Sequence, residues 1–431
     1  MTDSLQAASS PPLRGTIEVP GDKSISHRAL ILGGLARGET RIAGLCESDD
    51  VLRAAAAVRG FGARVERVGP GEWLVEGCCW RNPDAPVDCG NSGTAARLLM
   101  GAAAGFAIEA RFVGDESLSS RPMERLLAPL RQMGARTEGS RLPVTIAGGG
   151  LGGIRFVNAA ASAQIKSAIL LAGLRAEGEV EVIEPVRSRD HSETMLSAFG
   201  CDIEVRDGGV VLGSNRKLVG TAVDVPGDPS SAAFPLVAAL IVPGSEVSAR
   251  SVMVNPLRAG LIETLREMGA DLEESNRRTV GGEPVADLIA RFSSLRGVEV
   301  PASRVPSMID EYPILAIAAA FAEGTMVMRG LAELRVKESD RLAAMVEGLT
   351  ACGATVRSEG DTLIVEGRGR PVPGGAAVAA RSDHRIAMSF LVLGLAARGP
   401  ITVEGAATIA TSFPGFGESM RSLGARIGPA V

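Results

Sequence analysis

One phrase recurs six times along this chain: an apolar residue or Cys, then Gly, then usually Ala. It is read at Phe61-Gly62-Ala63, Met133-Gly134-Ala135, Phe199-Gly200-Cys201, Met268-Gly269-Ala270, Cys352-Gly353-Ala354 and Leu423-Gly424-Ala425. The spacing is near-regular, with one longer gap before Gly353. A second landmark precedes each copy, a Gly closing an Ala/Leu-rich run: Gly38, Gly105, Gly178, Gly244, Gly324 and Gly399. Two landmarks in constant order, six times over, indicate an internal repeat. The Ala/Leu run is apolar on most faces, so it predicts a buried helix. The Gly behind it reads as a helix stop. A β-rich stretch follows, as at 40–42 and 180–183. An amphipathic helix then ends at the glycine phrase, as at 123–132 and 261–268, and a strand such as 64–68 completes an αβαβ unit. Six units divide as three plus three. The division falls near Val225-Pro226-Gly227-Asp228, and the strand 15–19 is expected to close the second half. Segment 275–284 reads as an insertion that lengthens the fourth interval.

Length supports two domains, because 431 residues exceed what one core usually organises. Aromatic content is only 3%, which leaves few stacking platforms for single-stranded nucleic acid. A net charge of −5 gives no general basic footprint, although a local basic cleft stays open to it. Cys46, Cys78, Cys79, Cys89, Cys201 and Cys352 form no CxxC pair and read as reduced thiols. Residues 1–12 hold no apolar signal core, and apolar stretches such as 232–241 are too short to span a bilayer. A cytoplasmic protein is expected, with no nucleic-acid or membrane partner.

The buried helices begin with residues of unusual charge. Ser, Asp and Asn at a helix start are ordinary caps, and Ser230 and Asp383 read so. A cation in the first turn opposes the helix dipole and needs another reason. Lys23, Arg28 and Arg385 stand in such places, and an anion held at the helix start supplies the reason. Lys166 lies further inside and reads as covering a helix face. Arg121, Arg189 and the run Arg335-Val336-Lys337-Glu338-Ser339-Asp340-Arg341 stand where outer helices are expected to open. If that run is helical, Lys337 and Arg341 share a face.

With these residues in hand the chain resembles the EPSP synthase (3-phosphoshikimate 1-carboxyvinyltransferase) family. The resemblance is carried by Pro20-Gly21-Asp22-Lys23-Ser24-Ile25-Ser26-His27-Arg28, by Gly90-Asn91-Ser92-Gly93-Thr94-Ala95-Ala96-Arg97 and by the run from Arg335 to Arg341. Asp310-Glu311 and Asp383-His384-Arg385-Ile386-Ala387-Met388 add to it. It covers nearly the whole chain. The resemblance implies an α/β fold of two similar domains, each of three βαβαββ-type units about a pseudo-threefold axis, an inside-out α/β barrel. Residues 21–227 would form one domain, mainly for shikimate 3-phosphate. Residues 1–20 plus 228–431 would form the other, for proton transfer and phosphoenolpyruvate, with the active site in the cleft between them. Binding of shikimate 3-phosphate is expected to close the two halves.

The implied reaction moves the enolpyruvyl group of phosphoenolpyruvate to the 5-hydroxyl of shikimate 3-phosphate and releases phosphate, a step of aromatic amino-acid biosynthesis. No metal or organic cofactor and a monomeric state are implied. Lys23, Ser24, Arg28, Ser162, Ala163, Gln164, Arg189, Asp310 and Lys337 would hold shikimate 3-phosphate. Lys23, Gly93, Arg121, Gln164, Arg341 and Arg385 would hold phosphoenolpyruvate. Asp310 is the candidate base and Glu338 the candidate acid, with Lys23 competing for part of the proton work. Asp310 also reads as a helix cap before Tyr312-Pro313. Two departures stand out. Thr411 replaces a Lys that many members carry, and Leu98 follows Arg97 where many have Pro. With Arg189-Asp190-His191 these resemble a bacterial subgroup containing glyphosate-tolerant members, in which Ala replaces the Gly at position 93. Glyphosate is therefore expected to inhibit, with Gly93 leaving room for it. Enolpyruvyl transferases acting on UDP-N-acetylglucosamine are the nearest rival, but most use a loop Cys that residues 114–122 lack. RNA 3′-phosphate cyclases share a similar repeat, with His384 as a conceivable nucleotide carrier, and a non-catalytic anion-binding protein is the third alternative.

Overall fold

All six phrase glycines adopt a backbone that side chains disfavour. In the computed structural model, which describes residues 3–430, their φ angles lie between 80° and 111°. Each follows directly on an amphipathic helix and turns the chain into the next strand. The helices are α1 (Lys23–Leu35) and α2 (Asp49–Gly60) in the first repeat, then α3 (Gly93–Ala104), α4 (Glu116–Ser120) and α5 (Glu124–Gln132) in the second. The third holds α6 (Ala163–Gly173) and α7 (His191–Ala198), and the fourth α8 (Pro229–Ile241), α9 (Gly260–Glu267) and α10 (Val305–Met308). The fifth has α11 (Tyr312–Phe321) and α12 (Arg341–Ala351), and the sixth α13 (His384–Ala396) and α14 (Phe416–Ser422). In α8 every residue from Ser230 to Ile241 is buried, and in α13 every residue from His384 to Ala396. The Ala/Leu runs are thus the inner helices.

Among the described residues the strands form six four-stranded sheets. In every sheet a parallel pair leads into an antiparallel one. The parallel partner comes from the neighbouring repeat, and this closes a ring. Val87–Asp88 ends the first repeat and pairs with Glu109–Val113 of the second. Gly152–Val157 passes on to Glu177–Ile183, and Ala222–Asp224 returns to Glu39–Ala43 of the first. The other three repeats close differently. Arg14–Glu18 lies parallel to Glu246–Met253, and Ser4–Ala8 runs antiparallel between Ile401–Glu404 and Arg426–Pro429. Three repeats per ring, each βαβαββ, give an α/β fold of two similar halves.

The chain clusters into two units. An N-terminal unit comprises Gly21–Val225 and Val280–Glu283. A C-terminal unit comprises the described residues up to Pro20, Pro226–Thr279 and those from Pro284 onward. Among the described residues no helix is long and apolar enough to cross a membrane.

Several local expectations are corrected. The second-landmark glycines are mostly not helix stops: Gly178 and Gly324 lie inside strands Glu177–Ile183 and Glu323–Met328, with φ of 89° and 90°. Gly105 does cap α3. Segment 275–284 is no separate insertion but the far end of one long hairpin, Asp271–Val280 with Glu283–Arg291, turning at Gly281-Gly282. Strand Ser4–Ala8 lies in segment 1–12, to which the sequence reading assigns no strand. Arg121 does not open a helix; it ends α4. Lys337 and Arg341 share no helix face, since Lys337 terminates the short 3₁₀ turn Ala332–Val336 while Arg341 begins α12.

Close helix packing explains the small residues. A Cβ at Gly101 of α3 would stand 2.4 Å from the Ala168 carbonyl oxygen of α6. That is backbone against backbone, so no rotamer change relieves it. Gly101→Ala is therefore expected to destabilise by about 1–3 kcal/mol through forced separation of α3 and α6. Calorimetric melting should show a lower Tm; an unchanged Tm would mean the helices are free to part.

Candidate functional site

In the N-terminal unit the first turns of three inner helices meet. Asp22 caps α1, its Oδ1 accepting from the Ile25 N–H at 2.8 Å. Ser92 caps α3, accepting from the Ala95 N–H at 3.1 Å, and Ser162 caps α6. The turns are tied by side chains. Arg97 Nη1 donates to Gln164 Oε1 at 3.0 Å and to the Gly93 carbonyl at 3.1 Å, while Gln164 Nε2 donates to Thr94 Oγ1 at 2.9 Å. The Gln164 amide is thereby held at both ends. Ala163 opens α6 beside it.

The cations expected to bind anions stand here. Lys23 Nζ is 2.9 Å from Asp50 Oδ2. Arg28 is buried, donating from Nε to Ser192 Oγ at 2.8 Å, from Nη2 to Ser167 Oγ at 2.7 Å and from Nη1 to the Ser24 carbonyl at 2.9 Å. Burial pushes its pKa down to about 10, with Asp22 and Glu193 pulling the other way and Arg189 adding repulsion. It stays charged at neutral pH, and Arg189 lies within electrostatic reach of it. Arg121, also buried, donates to Asn91 Oδ1 at 2.7 Å and Ser117 Oγ at 3.0 Å. A Cβ at Gly93 would come within 2.6 Å of Arg97 Nη1 and 3.1 Å of Arg121 Nη1. Gly93 therefore lets two guanidinium groups approach the start of α3.

The C-terminal unit gathers acids. Arg341 is fully buried and meets three carboxylates: Asp383 Oδ2 at 2.7 Å, Glu338 Oε2 at 2.5 Å and Asp310 Oδ1 at 3.2 Å. Burial alone would weaken its charge, but the fields of Asp383, Glu338 and Asp310 outweigh it and raise its pKa. Arg385 donates from Nη1 to the Asp310 carbonyl at 3.2 Å, and its Nε is 3.8 Å from the Asp310 carboxylate. Asp310, Glu338, Arg341 and Arg385 thus form one cluster. Lys337 stands next to Glu338 in the chain, half-buried.

The capping assignments change here. Asp310 is not the cap of α11; Glu311 holds that place without a side-chain cap bond. Ser230 is not a cap either. Asp228 caps α8, and the Ser230 hydroxyl bonds Glu311. Asp383 does cap α13, accepting from the Arg385 N–H at 3.0 Å, and holds Arg341 as well. Lys166 covers no solvated face; it is buried, with Nζ 2.7 Å from Glu184 and 2.6 Å from Glu193. Thr411 Oγ1 donates to the Thr408 carbonyl at 2.8 Å and lies 3.1 Å from His384 Nδ1.

Sequence reasoning missed Asp50, Ser167, Ser192 and the Asp190–His191–Glu283 group. In that group His191 Nδ1 is 2.7 Å from Glu283 Oε1, and one ligand atom from each residue lies within 4.8 Å of the others. All are partners from distant segments, for which local sequence carries no signal.

A profile of the family described as EPSP synthase (3-phosphoshikimate 1-carboxyvinyltransferase) matches residues 8–420. The chain belongs to the EPSP synthase family. Curated relatives named 3-phosphoshikimate 1-carboxyvinyltransferase agree: the protein of Caulobacter vibrioides is 57% identical over 99% of both chains. That of Phenylobacterium zucineum is 57% identical over 96% of this chain and 94% of its own. Among solved structures, EPSP synthase from Acinetobacter baumannii superposes with a TM-score of 0.87, at 44% identity over 99% of this chain and 100% of its own. The enolpyruvyl transferase NikO from Streptomyces tendae, at 20% identity and a TM-score of 0.76 over 99% of each chain, shows the same fold.

Within this EPSP synthase family member His27 has a definable electrostatic position. It is completely buried on α1, its Nε2 3.3 Å from Ser92 Oγ. Burial first, then Lys23 and Arg28, hold its pKa well below the usual 6.5. The unfolded chain takes up a proton on this ring below about pH 6.5 and the folded chain does not. Its neutral form therefore contributes stability above that pH, and the contribution is lost as pH falls toward the folded value. His27→Gln should shrink the decline of Tm between pH 7.5 and 5.5; parallel Tm–pH curves for the two proteins would refute the assignment.

Proposed function

We propose that this protein transfers the enolpyruvyl group of phosphoenolpyruvate to the 5-hydroxyl of shikimate 3-phosphate, giving 5-enolpyruvylshikimate 3-phosphate and phosphate. The observation that carries the reading is the division of charge. Buried cations stand at the helix starts of one unit, and carboxylates surround Arg341 and Arg385 in the other, at the positions that match the family motifs.

Both substrates carry a phosphate and a carboxylate, so bringing them together requires fixed positive charge. On this reading Lys23, Ser24, Arg28, Ser162, Ala163, Gln164, Arg189, Asp310 and Lys337 hold shikimate 3-phosphate. Arg121, Arg341 and Arg385 hold phosphoenolpyruvate, with Gly93, Gln164 and Lys23 beside it. Arginine suits both groups because its planar fork binds them bidentately. The 5-hydroxyl oxygen attacks C2 of phosphoenolpyruvate while C3 gains a proton. C3 of the adduct then loses a proton, the C2–O bond to phosphate breaks, and the enol ether forms.

Asp310 receives the hydroxyl proton. Two guanidinium groups favour its ionised form, which a base must start in. Glu338 delivers the proton to C3. Arg341 now donates to Glu338, and a carboxylate so held is a poor acid. Phosphoenolpyruvate therefore has to take over Arg341, releasing Glu338 to carry a proton. The exchange links substrate binding to the readiness of the acid.

Phosphate release, with each substrate omitted in turn, tests the reaction. Turnover should require both. Asp310→Asn and Glu338→Gln should each lower kcat by about 10²–10⁴-fold, with shikimate 3-phosphate binding retained by calorimetry; near-normal kcat in either would remove that residue from proton transfer. The crowding at Gly93 gives a second test, with glyphosate as the expected inhibitor. Gly93→Ala pushes Arg97 and Arg121 aside, so inhibition should weaken at least about tenfold while melting is unchanged, because the atoms displaced are the ends of flexible side chains. Equal inhibition of both proteins would count against a steric role for this position.

A further inference from the structure

Neighbouring residues on α6 and α7 form a buried polar seam in the N-terminal unit. Ser167 and Ser192 hold Arg28, and their hydroxyls are 2.7 Å apart. The adjoining Lys166 pairs with both Glu193 and Glu184. Lys166, Glu184 and Glu193 have side-chain exposures of 1%, 4% and 5%. Charged groups this deep need partners, and Glu184 has four donors. Its carboxylate accepts from Lys166 Nζ at 2.7 Å, Asn158 Nδ2 at 2.9 Å, Ser188 Oγ at 2.6 Å and the Ser188 N–H at 3.4 Å.

Two of those partners stand beside residues already placed at shikimate 3-phosphate. Asn158 donates to the Ser162 carbonyl at 3.1 Å and accepts from the Ser162 N–H at 3.2 Å. Ser162 caps α6 and leads into Ala163 and Gln164. Ser188 precedes Arg189 directly. Two turns from opposite ends of the strand Glu177–Ile183 and helix α6 are thereby fixed to one carboxylate, and the same seam fixes Arg28. Stability alone is a weak reason for such a group, since buried ion pairs are often replaceable by apolar residues without loss. A fully bonded buried network does specify one arrangement, and binding geometry is sensitive to small displacements.

We propose that Glu184 is a positioning residue for shikimate 3-phosphate, setting the turns that carry Ser162, Ala163, Gln164 and Arg189 through Asn158 and Ser188. The proposal rests on the function given above. It is tested by steady-state kinetics on wild type, Ser188→Ala, Asn158→Ala, Glu184→Gln and the double variant Glu184→Gln/Ser188→Ala, with shikimate 3-phosphate affinity measured separately by calorimetry. Ser188→Ala and Glu184→Gln should each raise KM and Kd for shikimate 3-phosphate by about tenfold or more. KM for phosphoenolpyruvate should move by less than about threefold. Since Ser188 acts through Glu184, adding Ser188→Ala to Glu184→Gln should cost less than about twofold further.

Unchanged KM and Kd in folded Ser188→Ala and Glu184→Gln overturn the positioning role while leaving the reaction standing. Full additivity in the double variant overturns it too. Absence of turnover by wild type overturns both the reaction and this proposal. Should Glu184→Gln fail to fold, Ser188→Ala and Asn158→Ala decide alone. Each leaves Glu184 with its remaining donors, and wild-type affinity in both defeats the proposal.

Discussion

Three buried helices that start at the same end of a unit bring three positive dipole ends together. That arrangement is unfavourable until something negative faces it. The rest of the molecule is organised by this constraint, and the two units meet it differently. In the C-terminal unit the answer is built in. Asp228 and Asp383 cap α8 and α13, Glu311 precedes α11, and Arg258, Arg341 and Arg385 bind the excess acid. In the N-terminal unit Asp22 and Asp50 answer only in part, and Lys23 and Arg28 add further positive charge. A fold made of one repeated element thus yields two opposite electrostatic surroundings.

Arg341 shows how closely the acid cluster is balanced. Three carboxylates share one guanidinium, so the arginine keeps charged partners if either of the less buried two, Asp310 or Glu338, moves away. Removing the arginine instead would strand Asp383, which is fully buried. Thr411 adds a smaller adjustment nearby. Its hydroxyl lies 3.1 Å from Nδ1 of His384, the residue directly before Arg385.

Much of the architecture was legible because the repeat is marked by backbone need. Gly62 and its five equivalents hold positive φ, and few other residues do so cheaply. The cations were legible for a similar reason, since Lys23, Arg28 and Arg385 each break a local rule. What could not be read was pairing between distant segments. Asp383 looked like a cap and is one, yet its hold on Arg341 spans 42 positions. Lys166 looked ordinary because Glu184 and Glu193, which bury it, lie on other elements. The hairpin end near Gly281 looked like an insertion because its first strand, Asp271–Val280, carries charge on both faces.

Strand Ser4–Ala8 escaped notice because its five residues are too short and too polar to declare themselves, and its partners are far away. Its neighbour Ser10 is 416 positions from the Arg426 that it bonds. That separation carries a consequence for biogenesis. The N-terminal unit is almost continuous in sequence, so its ring can close while the ribosome is still at work. The C-terminal unit cannot. The sheet that holds Ser4–Ala8 cannot form until Ile401–Glu404 and Arg426–Pro429 emerge, leaving an early strand without these partners for most of translation. Such an edge is open to wrong partners, and long loop closures are slow. The N-terminal unit can therefore be organised first, while the C-terminal unit waits for Ser4–Ala8 to meet Ile401–Glu404 and Arg426–Pro429.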